Sequence, residues 1–117
     1  MKYVLLIYQG KTPLPGSDGW KALSEAEQKQ IYADYQGLTR TPGVTPGLPL
    51  GLPNAARTVR VRNGKAHVKN GTHLAEGAGG YLVFEADNME AAVALATRIP
   101  AARLGGAVEV RPAEQYW

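Results

Sequence analysis

The chain contains no cysteine, which excludes a disulfide framework, thiolate chemistry and any Cys-based metal site. Histidine is almost as scarce. With only His67 and His73 to work from, a metal centre would need several carboxylates around them, and no metal is expected. Long hydrophobic runs are missing too. The apolar stretch at residues 4–8 is far shorter than a signal peptide or a membrane span, so a cytoplasmic protein without membrane contact is expected. Residues 36–75 hold no Phe, Trp or Tyr, which removes the stacking platforms of a single-strand nucleic-acid surface and argues against a nucleic-acid partner. Acidic residues are absent between Asp34 and Glu76, whereas Arg40, Arg57, Arg60, Arg62, Lys65 and Lys69 fall inside that interval. This asymmetry implies either a solvated cationic face or attraction to an anionic partner.

What is present organises into one domain, residues 1–117, with room for a single core. Residues 2–8 (KYVLLIY) are rich in strand formers and apolar at successive positions, as in a strand buried on both faces. Pro13, Pro15 and Gly16 make residues 11–20 a loop. Ser24 and Glu27 have capping-box spacing at the head of a helix over 23–38, with Ile31, Tyr35 and Leu38 facing the core. The prolines of 41–53 (TPGVTPGLPLGLP) restrict that stretch to an extended edge segment with turns. A hairpin follows over 56–69, where Val59 and Val61 alternate with Arg60 and Arg62. Asn63 and Gly64 supply its turn, and Ala66 and Val68 return on the same face. Residues 80–86 form a further strand. Asp87 and Glu90 then provide a second capping-box pair for a helix over 88–99, with Ala92, Leu95, Ala96 and Ile99 as its apolar stripe and Pro100 as its stop. The last strand covers 106–112.

Without the basic hairpin, this order is β-α-β-β-α-β. The expected fold is therefore α+β, ferredoxin-like with an inserted β-hairpin. Two helices cover only one face of such a sheet, yet residues 4–7 and 82–84 are apolar on both. A second copy packed sheet to sheet is the simplest cover, which predicts a homodimer.

The segments MKYVLLIYQG, VTPGLPL, TVRVRNGK, GGYLVFEADNMEAAVALATRIPAAR and GGAVEVRP, in this order, resemble the DGPF-domain family, also called YCII-related. The resemblance covers nearly the whole chain and implies a dimeric α/β-barrel. Members are mostly uncharacterised bacterial proteins. Some are encoded beside, or fused to, alternative sigma factors, and a few relatives in the wider superfamily are isomerases, dehalogenases or oxygenases of small molecules. Where the family carries Asp-Gly-Pro-Phe, this chain has Asn70, Gly71, Thr72 and His73, and the connection to Gly79, Gly80 and Tyr81 is shorter. The His–Asp pair proposed as a site in better-known relatives is not carried over, because no histidine stands on the first helix.

The sequence singles out the loop KNGTHLAEGAGGY (69–81) as the place where a site would lie. His73 and Glu76, at i and i+3, would act as an imidazole–carboxylate pair on a helical turn, although Gly77, Gly79 and Gly80 argue against a helix there; an exposed turn histidine is the alternative. The glycines fit neither a dinucleotide fingerprint nor a P-loop, and no cofactor is implied. Gly79 and Gly80 are expected to permit a bulge or close backbone approach at the strand entry. Candidate ligand-binding residues are Asn70, Thr72, His73, Tyr81 and Arg103. For Arg103, capping of the preceding helix's terminal carbonyls is the simpler reading, and Asp34 is expected to be solvated. Two functions follow: a small-molecule-binding protein, with or without activity, or a regulatory interaction module, associated with a sigma factor or meeting nucleic acid or an acidic partner through hairpin 57–69.

Overall fold

The computed structural model describes residues 1–75 and 77–116. It is a mixed α+β structure: a four-stranded antiparallel sheet, a separate two-stranded sheet and short helices. In chain order the elements are β1 (Lys2–Tyr8), α1 (Asp18–Lys21), α2 (Glu25–Thr39), β2 (Val44–Pro46), β3 (Arg57–Arg62), β4 (Lys65–Asn70), β5 (Ala78–Glu85), α3 (Met89–Ala96), α4 (Pro100–Arg103) and β6 (Ala107–Pro112). The main sheet runs β2-β5-β1-β6, each neighbour antiparallel. Among the described residues no helix is long and apolar enough to cross a membrane.

The alternation along β1 decides which face is the core. Tyr3, Leu5 and Ile7 are buried, whereas Val4, Leu6 and Tyr8 on the opposite face are only half-buried. Leu82 of β5 lies directly across from Leu5 and joins the buried side. Against it pack Leu38 of α2 together with Ala92, Leu95 and Ala96 of α3 and Ile99 just beyond it. The helices therefore cover one face. On the other, Val4 pairs with Val83, and Leu6 with Tyr81, without a covering layer among the described residues.

Local signals explain most element ends. Ser24 accepts from the Glu27 N–H at 3.1 Å while Glu27 Oε1 accepts from the Ser24 N–H at 3.3 Å, completing the expected capping box of α2. The α3 cap differs from expectation. Asn88, not Asp87, is the N-cap, and its Oδ1 accepts from the Ala91 N–H at 2.9 Å. Asn88 has the extended backbone that a cap needs, and asparagine is among the best residues for that position. Pro100 also acts differently: α3 ends at Ala96, and Pro100 opens α4, where its missing N–H costs nothing. Within the expected loop 11–20, Ser17 accepts from the Trp20 N–H and caps the single turn α1, which buries Trp20.

The hairpin β3–β4 has the expected tight turn, with positive φ at both Asn63 (51°) and Gly64 (76°). Val59 faces Val68 and Val61 faces Ala66, while Arg60 faces His67 on the other side. Both sides of this ribbon are exposed. Its base is tied down by the Gly71 N–H donating to the Ala56 carbonyl and by the Thr58 hydroxyl donating to the Gly71 carbonyl, each at 2.9 Å.

Candidate functional site

The site begins with an irregularity in the central strand pair. The β1–β5 register slips after Ile7, so Ile7 faces Gly80 and Tyr8 faces Ala78, leaving Gly79 unpaired. Such a bulge bends the strand and frees the residue that follows. The Gln9 side chain lies across Gly79, where an added methyl would stand 2.5 Å from Gln9 Nε2. Only glycine allows that approach, as the glycine-rich entry to the strand led one to expect.

Around Gln9 opens a cleft of 570 Å³ between the sheet and α2. One wall is α2, through Ile31 and Tyr35. A second is the chain before it, with Pro13, Leu14, Pro15 and Trp20. Trp20 packs edge-on against Tyr32, ring centroids 5.3 Å apart, and Gln28 Nε2 ties the Trp20 carbonyl to α2 at 2.9 Å. The third wall is the proline-rich segment 46–52. It extends along the free edge of β5 because the N–H groups between its prolines still bond: Gly47 to the Tyr81 carbonyl at 3.0 Å and Leu50 to the Gly79 carbonyl at 3.1 Å. This is the edge segment that its composition implied. Leu48 and Leu50 form an exposed apolar lip.

No Lys, Arg, His, Asp or Glu lines the cleft among the described residues. Its polar groups are few and specific. The Tyr35 phenol is raised above its ordinary value of 10.0, chiefly because burial disfavours the phenolate. A hydrogen bond with the Gln9 side chain and the charge of Arg103 act in the opposite direction. The phenol is therefore a neutral hydrogen-bonding group at physiological pH. Gln9 Oε1, by contrast, is buried without a donor among the described residues. An unpaired buried acceptor costs about 1–3 kcal/mol, so it marks a place that something else can satisfy.

A smaller, polar groove lies on the far side of α2. There Arg103 donates to Asp34 Oδ2 at 2.6 Å, Gln30 Nε2 donates to Asp34 Oδ1 at 2.8 Å, and Arg98 donates to the Thr41 hydroxyl at 3.2 Å. Arg103 thus forms an ion pair with α2 rather than capping carbonyls, and Asp34 is paired rather than simply solvated. One turn of α4 brings the guanidinium back over α2, a tertiary contact without a local sequence signal.

The residues singled out in the sequence fall in three places. Tyr81 lines the apolar cleft, where its ring lies against Gly47. Arg103 belongs to the polar groove. Asn70 ends β4 opposite Arg57, and Thr72 turns the following loop by donating to the Leu74 carbonyl at 2.6 Å. His73 is exposed on that loop and forms no hydrogen bond or ion pair with the described residues. Glu76, its expected partner, lies outside them. Among the described residues no group of three His, Cys, Asp or Glu is placed to hold a metal ion. Sequence reasoning missed Gln9 altogether; it read Tyr35 as core, and Tyr35 does pack against the core cluster while also lining the cleft. The available signal was Gly79 and Gly80 facing the end of β1, which requires something to lie close above them.

A model of the YCII-related domain family matches residues 1–115 of the chain. No curated protein matches it.

Proposed function

Since the chain belongs to the YCII-related family, we propose that it is a small-molecule-binding protein whose ligand enters the cleft between α2, the sheet and segment 46–52. The observation that carries this reading is the cleft itself: 570 Å³, apolar walls and a few convergent polar groups, the usual make-up of a ligand site. In this reading Tyr81 is a ligand contact at the mouth. The chain is a single domain of ferredoxin-like fold with the β3–β4 hairpin inserted, a description supported by the strand order β2-β5-β1-β6. The uncovered sheet face supports pairing of two copies into a dimeric α/β-barrel.

A second reading draws on the hairpin. Its ribbon is exposed on both sides and carries Arg60, Arg62, Lys65, His67 and Lys69 on one of them, a surface suited to an acidic partner in a regulatory complex.

A thermal-shift screen of neutral metabolites and a polyanion separates the two. Gly80 lines the cleft, and the nearest atom to an added Cβ there is the Leu48 carbonyl oxygen at 3.8 Å, so Gly80→Leu places a side chain inside the cavity. A ligand at a hundredfold excess over its Kd stabilises the fold by about 2.7 kcal/mol. The expected result is a neutral ligand that raises the Tm of the parent but not of Gly80→Leu. A shift seen only with the polyanion, equal in both proteins, refutes the cleft and favours the hairpin.

A further inference from the structure

We propose that the cleft selects a neutral ligand with an apolar body and one hydrogen-bond donor, a hydroxyl or an N–H, which Gln9 Oε1 accepts. This rests on the small-molecule reading and adds the chemistry of the ligand.

The first argument is charge. Among the described residues the lining carries no ionisable group except tyrosine. A carboxylate, phosphate or ammonium entering there would lose its water without gaining a counter-ion, which is strongly unfavourable. The polar groove that does carry arginines lies on the opposite side of α2, and Asp34 already occupies Arg103 there.

The second argument is polarity. The Gln9 side chain crosses Gly79, where no Cβ obstructs it. Its Oε1 is a buried acceptor without a donor among the described residues. The terminal torsion of a glutamine is broad, so a modest rotation turns Oε1 toward the cavity that Gln9 lines. A ligand hydroxyl or N–H satisfies the oxygen, whereas an ether or hydrocarbon of equal size leaves it unpaired. Sites built around a buried polar group discriminate most strongly against the analogue lacking the matching group. The apolar body is set by the walls, where Leu14, Trp20, Ile31, Leu48 and Leu50 leave little else to recognise.

The test uses three probes with one common body: 4-phenylphenol, 4-methoxybiphenyl and biphenyl-4-carboxylate, titrated calorimetrically at neutral pH against the parent, Gln9→Met and Gly80→Leu. In the parent the phenol should bind about five- to tenfold more tightly than the ether, the value of one well-formed hydrogen bond, and the carboxylate should bind most weakly. Gln9→Met should bring the phenol to the affinity of the ether while leaving the ether unchanged. An ether that binds the parent as tightly as the phenol, or a carboxylate that binds best, overturns the assignment while the cleft remains a binding site. If none of the probes binds the parent, or Gly80→Leu leaves every affinity unaltered, the cleft reading fails and this one with it. The parent comparison is decisive by itself should either variant fail to fold.

Discussion

At the scale of single residues, Tyr35 carries two roles that pattern reading cannot separate. Its helical spacing with Ile31 and Leu38 correctly placed it toward the core, but periodicity reports only direction. Whether a phenol ends in packed side chains or at the wall of a cavity depends on loops far away in sequence, here 11–20 and 46–52. The raised pKa offers a direct check. In the unfolded chain the phenol ionises near 10.0, whereas in the native chain burial lets it hold its proton to higher pH. Between those two values the native state binds more protons, so this contribution to stability is complete below pH 10 and is lost as pH rises through the native value. Tyr35→Phe removes the titrating group. The Tm advantage of the parent over the variant should be flat below about pH 9 and decline as the pH rises above about 10. A difference that stays constant across that window means that the phenol is not buried.

At the scale of elements, the strands and the long helix were legible because each carries its own local signal: runs of apolar strand formers for β1 and β5, the Asn63–Gly64 turn for the hairpin, and the capping box for α2. The misread boundaries share one cause, namely neighbouring residues with similar chemistry that compete for one role. Asp87 and Asn88 both make good caps, and the choice falls to the residue whose backbone is extended where the helix starts. Asn88→Ala should therefore cost about 1 kcal/mol, read as a lowered urea midpoint, while Asp87→Ala should change it little. The reverse order would restore Asp87 as the cap. Pro100 illustrates the same ambiguity, since a proline ends one helix and begins another by the same missing N–H. The candidate site was less legible than the fold. The 69–81 loop drew attention through its glycines, and its far end, Gly79 to Tyr81, does border the cleft. The partners of those residues, Gln9 and the 46–52 edge, come from elsewhere in the chain and met them only through the register of β5.

At the scale of the whole molecule, the unanswered demand is apolar surface. The chain measures 48 × 41 × 19 Å and has a radius of gyration of 15.9 Å, against about 13 Å for a compact chain of this length. The excess reflects a flat body with one sheet face uncovered among the described residues and a hairpin standing apart, with Val59, Val61 and Val68 each more than half exposed. Two surfaces thus compete as the seat of a dimer, and a pair of charge insertions distinguishes them. Val83 lies mid-face, paired with Val4 on one side and Thr45 on the other, and points away from the core. Val83→Glu should leave the monomer folded, because the new carboxylate meets water. In a sheet-to-sheet dimer the same carboxylate would be buried without a partner at the interface centre, at a cost of several kcal/mol. The parent should therefore scatter light as twice its 12.5 kDa chain mass at micromolar concentration, and Val83→Glu as a monomer with unchanged circular dichroism. Val61→Glu, on the hairpin, should remain dimeric. If instead Val61→Glu dissociates the parent and Val83→Glu does not, the hairpin is the dimer contact and the open sheet face needs another cover. A parent that is monomeric throughout overturns the barrel outright.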